Sequence, residues 1–231
     1  MPLRVLLVSD IHSNFQALEG ILKDAGEFDL ALNAGDIVGY GPDPRECIEL
    51  VRRLNIISIA GNHDFAAATG DTSNFNPYAA EALSINRSLL NDNDVSWLRS
   101  LPHAFRQSVE GVRISVYHGS PCDPLNEYVF PAEAERRVTD FLEYAKSDLL
   151  VLGHTHIPYV LKTPKGFMVN PGSVGQPRDG DPRASYILLD VEERVIEVEH
   201  RRVEYDVKEV AKRMEWLGLP RLLSLRLFSG W

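Results

Sequence analysis

The 231-residue sequence predicts an α/β fold in which two mixed sheets pack face to face with helices outside. Three observations lead there. From Leu3 to Ala60, short apolar runs alternate with amphipathic stretches in a β-α-β-α-β order. After Ile157 the texture changes to short β segments in hairpin spacing. Polar motifs sit at the ends of the apolar runs, which is where ligands collect in parallel sheets.

Each element has a local reason. Leu3–Ser9 reads as a buried strand, and Asn14–Ala25 as a helix with Phe15, Leu18, Ile21 and Leu22 on one face. Asp29–Ala34 is a second strand ending at Gly35-Asp36, followed by the turn Gly39-Tyr40-Gly41-Pro42-Asp43-Pro44. Pro44 suits the first turn of a helix that runs to Leu54. Ile56–Ala60 is a third short strand, so the first three strands are expected to be parallel, with right-handed crossovers. Pro77–Leu90 and Asp94–Leu101 have helical apolar spacing. Val112–Tyr117 is a strand leading into a Pro-rich loop from Pro121 to Pro131, then come a helix over Ala132–Ala145 and a strand over Asp148–Leu152. Tyr159–Lys162, Phe167–Val169, Ala184–Asp190 and Arg194–Val203 are the later β segments, and Val207–Leu217 is a closing helix before Pro220. With no linker or low-complexity stretch, residues 1–231 are expected to form one domain, on which the helix and tail from about residue 206 to 231 pack. The apolar tail Leu219–Trp231 is expected to fold back, with a homo-oligomer seam as the other reading.

Composition bounds the setting. Apolar residues make up 44% and charged residues 25%, an ordinary balance for a globular protein. A chain of this length buries roughly 70% of its unfolded surface. Its apolar runs fall far short of the ~18 residues of a membrane span. No leader pattern precedes the first strand, and two cysteines, Cys47 and Cys122, are too few for a disulfide framework. A cytoplasmic location without membrane contact is therefore expected. The net charge of -9 argues against a non-specific nucleic-acid coat. It does not exclude an anionic substrate, because divalent cations would neutralise clustered carboxylates.

Five short motifs carry the chemistry: Asp10-Ile11-His12, Gly35-Asp36, Gly61-Asn62-His63-Asp64, Tyr117-His118-Gly119 and Gly153-His154-Thr155-His156. Taken singly, each has an ordinary reading. Asp36 suits a turn, Asn62 likewise, and His118 alone suits a hydrogen-bonded core histidine. Taken together at strand ends, they point to a polynuclear metal site. Asp and His are oxygen and nitrogen donors suited to Mn, Fe, Ni, Co or Zn. Asp10 and His12, two apart on an extended segment, would point the same way and clasp one ion. Two nearby cations need a shared anionic ligand, and Asp36, alone on its loop, is the natural bridge. The neighbouring glycines allow close backbone approach. Cys122 is expected to be a spectator, Cys47 a packing residue, and His103 and His200 solvent-facing. The loop holding Tyr128 and Phe130 reads equally as a pocket wall or as core cover.

The order of these motifs resembles the calcineurin-like metallophosphoesterase superfamily, in particular its small prokaryotic phosphodiesterase-like branch. The resemblance spans Asp10 to Arg178 and includes Asn170-Pro171-Gly172-Ser173-Val174-Gly175-Gln176-Pro177-Arg178. It implies a four-layer α-β-β-α sandwich, two mixed sheets flanked by helices. It also implies two divalent transition-metal ions, with manganese foremost and Fe, Ni, Co or Zn as alternatives. Asp10, His12, Asp36 and His156 would hold one ion; Asp36, Asn62, His118 and His154 would hold the other. A metal-bridging hydroxide would attack phosphorus while His63 protonates the leaving oxygen, and Asp64 would fix the tautomer of His63. Relatives that act as protein phosphatases or dinucleoside polyphosphate hydrolases carry an Arg soon after Gly-Asp, where this chain has Gly39-Tyr40-Gly41. Those phosphatases also end the third motif in Glu rather than Asp64. Both departures favour a phosphodiesterase-type reading, with small or cyclic nucleotides as the expected substrates; Arg178 is the candidate to grip phosphate and Tyr40 to stack a base. Arg183 is the weaker candidate for that grip. A nuclease on the same centre would need a basic groove, which Arg52-Arg53, Arg136-Arg137 and Arg201-Arg202 do not establish. A non-catalytic protein-binding scaffold of the same fold is the third reading, against which His63 and the complete ligand set speak.

Overall fold

The computed structural model describes residues 2–231. In chain order, β1 (Leu3–Val8), α1 (Phe15–Ala25), β2 (Leu30–Asn33), α2 (Pro44–Arg53) and β3 (Ile57–Ser58) form the opening β-α-β-α-β unit. Three helices follow, α3 (Asn62–Thr69), α4 (Pro77–Leu89) and α5 (Asp92–Ser100). The second half holds β4 (Phe105–Val109), β5 (Val112–Val116), α6 (Pro131–Ala145), β6 (Leu149–Val151), β7 (Tyr159–Thr163) and β8 (Gly166–Asn170). The long hairpin β9 (Ala184–Glu192) and β10 (Val195–Val203) precedes α7 (Val207–Trp216) and α8 (Arg221–Arg226).

The strands form two mixed five-stranded sheets, ordered β10-β9-β1-β2-β3 and β4-β5-β6-β8-β7. β1, β2 and β3 are parallel, as are β5, β6 and β8; β9, β10, β4 and β7 run antiparallel to their neighbours. The architecture is thus the expected α-β-β-α sandwich. β1 shows why its sequence is unbroken apolar from Val5 to Val8. Val5 and Leu7 enter the layer between the sheets, with Leu32, Ile114, Val116, Val151 and Ile187. Leu6 and Val8 alternate to the opposite face and meet Leu18 and Ile21 of α1 and Ile48 and Val51 of α2. A strand buried on both faces reads as a continuous hydrophobic run. Each such side chain is worth about 1.5–3 kcal/mol of transfer free energy. Cys47 lies in the same helical layer, fully buried. On the far side, Val138, Phe141 and Leu142 of α6 cover Leu150 and Met168 of the second sheet. Val210 and Met214 of α7, with Leu223 of α8 and Leu227 just past it, close over Tyr40 and over Ala79 and Ala82 of α4.

Three elements depart from the sequence-based expectation. β4, α3 and α8 read as loop or tail in the sequence. Only Val109 of β4 is buried, because the strand is a sheet edge, so the alternation that marks a half-buried strand is nearly absent. α3 is short and rich in alanine, giving no apolar stripe to detect. Among the described residues, no helix is long and apolar enough to cross a membrane.

Candidate metal centre

The five motifs meet at one end of the two sheets. Asp10 and His12 follow β1, Asp36 follows β2, and Asn62 and His63 open α3 just after β3. His118 follows β5, and His154 and His156 follow β6. All of these strands are parallel members of their sheets, so their carboxyl ends share an edge. The side chains converge by a route that the spacing of Asp10 and His12 did not suggest. Neither residue is extended: Asp10 has φ 55° and His12 has φ 47°. Asp36, His154 and His156 are also left-handed, with φ of 57°, 67° and 59°. Non-glycine residues rarely adopt this region, and such strain gathers at functional sites. Gly61 is required by closeness instead, since a Cβ there would stand 2.0 Å from Asp36 Oδ1.

The resulting geometry has two lobes around Asp36. In one, His12 Nε2 lies 3.1 Å from His156 Nε2 and 3.7 Å from Asp10 Oδ1, which is 3.3 Å from His156 Nε2. In the other, His118 Nε2 lies 3.1 Å from Asn62 Oδ1 and 3.0 Å from His154 Nδ1. Asp36 Oδ2 faces both, 3.6 Å from His12 Nε2 and 3.3 Å from His118 Nε2. Asp36 Oδ1 accepts a hydrogen bond from the His63 backbone N–H at 2.8 Å, which aims the carboxylate.

Backbone carbonyls set the histidine tautomers. His12 Nδ1 donates to Val38 O, His118 Nδ1 to Ala34 O and His156 Nδ1 to Gln176 O, at 3.2, 2.8 and 2.6 Å. In neutral rings this leaves each Nε2 as a lone pair turned inward, the second contact by which ligating histidines are oriented. Two such lone pairs 3.1 Å apart repel unless a cation lies between them. Asp10 Oδ1, buried and without a hydrogen-bond partner, faces the same space. Clusters Asp10/His12/His156, His12/Asp36/His63 and Asp36/His118/His154 each bring ligand atoms within 4.8 Å of one another. The donor set fits divalent transition-metal ions.

Charges follow from burial and crowding. Burial alone would raise Asp36, yet His118, His63 and His12 hold its carboxyl well below the usual range. Burial opposes charge on His118, but Asp36 pushes it up to about 9. Burial, with His118 beside it, lowers His154 to about 3. His156 falls well below its ordinary value through burial, Arg178 and His12. His63 is likewise lowered by burial, against the pull of Asp36.

Other expected site residues are placed differently. Asp64 does not pair with His63. One of its oxygens accepts from the backbone N–H of Ile37 at 2.9 Å and of Val38 at 3.1 Å, and the other accepts from Gly61 N–H at 3.1 Å. Burial, then the Asp36 charge, raises Asp64 to about 7. It ties the Asp36 loop to the start of α3. Tyr40 is only 7% exposed, with His12 and His63 against its ring at 4.6 and 4.5 Å and the Arg178 guanidinium 5.5 Å from its centroid. That packing leaves no room for a base on Tyr40. Arg178 is half-buried beside the first lobe and donates to Gln176 Oε1 at 2.9 Å. Arg183 is turned to Asp181, Cys122 is exposed, and His103 is exposed. His200 is also on the surface, hydrogen-bonded to Ser185 Oγ at 2.7 Å.

One contributor, Asn86, was missed by the sequence reading, and another, Tyr128, was left between two readings. Asn86 accepts from Gly39 N–H at 2.7 Å and donates to Gly41 O at 2.8 Å, pinning the Tyr40 loop. Its signal was present, since it occupies the buried stripe of α4 with Ala79, Ala82 and Leu83, where an amide is out of place. Tyr128, from the Pro-rich loop, stacks on His154 with centroids 3.7 Å apart.

Comparison with known proteins points to one family. Residues 3–194 match the calcineurin-like phosphoesterase superfamily domain. The chain is 37% identical to the uncharacterized protein MJ0912 of Methanocaldococcus jannaschii, covering 98% of each. It is 27% identical to the phosphodiesterase YfcE of Escherichia coli, over 81% of this chain and 88% of that one. Among solved structures, a metallophosphoesterase from Sphaerobacter thermophilus is 37% identical over the whole of both chains, with a TM-score of 0.85. The chain belongs to the calcineurin-like phosphoesterase superfamily, on its branch of small prokaryotic phosphodiesterase-like proteins.

Proposed function

We propose that the protein is a dinuclear metal-dependent phosphodiesterase. The observation that carries this reading is the position of Asp36 Oδ2, between His12 Nε2 and His118 Nε2 at 3.6 and 3.3 Å. One carboxylate oxygen shared by two donor clusters is what a pair of adjacent cations needs. Asp10, His12, Asp36 and His156 would hold one ion, and Asp36, Asn62, His118 and His154 the other, with manganese the first metal to try. Bound there, the ions would neutralise phosphoryl charge and lower the pKa of a coordinated water toward neutrality.

The remaining roles belong to the chain. His63 stands beside Asp36 at the start of α3 and is the proton donor to the leaving oxygen. The imidazole must be protonated to serve, and an anionic phosphoester arriving next to it favours that form. Asp64 acts as a positioning residue, holding the backbone on either side of Asp36 and His63. Tyr40 packs one side of the His63 ring and Phe75 meets it edge-on at 4.7 Å, so the ring is held in place. Arg178 supplies positive charge to the phosphoryl group at the first lobe. YfcE, the relative named as a phosphodiesterase, supports the diester preference.

The test is hydrolysis of bis-p-nitrophenyl phosphate by protein loaded with Mn²⁺, abolished by a chelator and restored by added metal. Metal content by mass spectrometry should reach two ions per chain. Two bound ions without turnover for any of Mn, Ni, Co, Fe or Zn would replace this reading with a binding scaffold.

A further inference from the structure

The second lobe opens onto a cleft of about 330 Å³ whose lining includes Asn62 and His154. That volume is at the small end of ligand pockets, about 300–1,000 Å³, and suits one compact group. Its walls are aromatic. Tyr128 comes from the Pro-rich loop on one side; Phe65 and Phe75 come from α3 and the segment after it. These rings are held rather than loose. Tyr128 stacks on His154 at an interplanar angle of 24° and lies parallel to Phe130, while Phe65 meets His103 edge-on at 5.9 Å. Yet Tyr128 is 48% and Phe65 41% exposed, so each keeps apolar surface open.

The electrical character of the cleft is as informative as its shape. Among the described residues, Asp71 is the only charged one that lines it; its other polar side chains are the amides of Asn62, Asn74 and Asn126, the Tyr128 hydroxyl and the His154 imidazole, which is neutral near pH 7. A second phosphate would meet a carboxylate and no cation. A nucleic-acid strand would find no basic track for its backbone. A flat heterocycle, by contrast, can stack on the aromatic walls and hydrogen-bond to the amides, and stacking on aromatic side chains is tolerant of base identity. Phe75 both lines this cleft and touches His63, so a group seated there lies beside the proposed proton donor.

We infer that this cleft receives a nucleobase, making the substrates esters of a single phosphate that carry a nucleoside, and excluding polyphosphates and nucleic-acid strands. The inference rests on the phosphodiesterase reading for its chemistry, but the cleft is tested by binding alone. The probes are adenosine 5′-monophosphate and ribose 5-phosphate, which differ only in the base, with adenosine 5′-diphosphate and a single-stranded oligonucleotide as charge controls. Affinities are measured by titration calorimetry on the manganese-loaded protein.

The expected result is that the adenosine monophosphate binds at least about fivefold tighter than ribose 5-phosphate, the lower end for one stacked base. The diphosphate should bind no tighter than the monophosphate. Tyr128→Ala and Phe65→Ala should each shrink the monophosphate-to-ribose phosphate ratio, and Tyr128→Phe should preserve it. Both rings are substantially exposed, so truncation should leave folding intact, which thermal melting checks. Equal affinity for the two monophosphates, a ratio unmoved by both alanine variants, or an oligonucleotide that binds tightest would overturn the inference. Base-dependent binding without hydrolysis of any ester would sink the enzymatic reading and leave the cleft standing. Hydrolysis without base preference would do the reverse.

Discussion

The two lobes of the site are built from similar residues but differ in how they are closed. The Asp10/His12/His156 lobe is sealed, its two imidazoles each fixed by a backbone carbonyl and its carboxylate held by Ser9 Oγ at 2.6 Å and His154 N–H at 3.1 Å. The Asn62/His118/His154 lobe has only His118 fixed in this way; His154 Nε2 has no hydrogen-bond partner, and Tyr128 forms its outer cover. One lobe is thus prepared to hold an ion rigidly, while the other faces the cleft. The lesson is directional. On the proposed reading, substrate would reach the centre from the Asn62 and His154 side, and the sealed lobe would serve as the anchor.

The largest expected effect tests what the lobes share. Asp36→Asn keeps the shape but removes the charge between them, so activity should fall to background and metal content should drop below one ion per chain by mass spectrometry. Retention of two ions would show that the lobes do not depend on Asp36. Next in size, His63→Ala should lower turnover by about 10²–10⁴ while leaving metal content unchanged, most severely for esters with poor leaving groups. An equal loss for good and poor leaving groups, or no loss at all, would remove His63 from the proton-donor role.

Acidity separates the lobes further. His118 is raised to about 9, so in the metal-free protein at pH 7 it carries a proton that a metal ion must displace. His156, held well below its usual value, needs no such displacement. Apparent affinity of the cleft-side lobe should therefore weaken by about tenfold per pH unit below 9, with one proton released on loading. Calorimetry in two buffers of different ionisation enthalpy reads that proton directly. The sealed lobe should show a weaker dependence on pH. For the fold the sign is opposite. A histidine with a raised pKa contributes stability that is fully present below the unfolded value, about 6.5, and is lost as pH rises through about 9. Metal-free protein should accordingly lose melting temperature between pH 7 and pH 10. The smallest expected effect is Cys122→Ser, which should leave metal content and turnover unchanged because the thiol is exposed and outside both lobes.

Much of the fold was legible because burial on both faces leaves an unmistakable mark. β1 is apolar at every position that faces either the opposite sheet or the helices, and α1 carries its stripe in register with that layer. β4 left no such mark, because an edge strand with one buried residue satisfies few constraints. The site motifs were visible for a different reason. Asp, Asn and His at strand ends are expensive to bury, and their repetition in one order has few structural explanations. The geometry that joins them was not visible. Left-handed φ at five of the candidate ligands depends on hydrogen bonds from distant segments, such as Asp10 N–H to Gly35 O and His12 N–H to Asp36 O, both at 2.9 Å.

The sequence by itself determined the layered α/β architecture and the set of candidate donor residues, since both follow from local pattern and residue chemistry. Only the tertiary structure decided which atoms share Asp36, that Asp64 braces backbone rather than His63, and that Tyr40 is packed away while Tyr128 faces the cleft. Those outcomes depend on where separate loops meet in space. A side chain's partners there are set by packing between segments far apart in the chain, which no local pattern encodes.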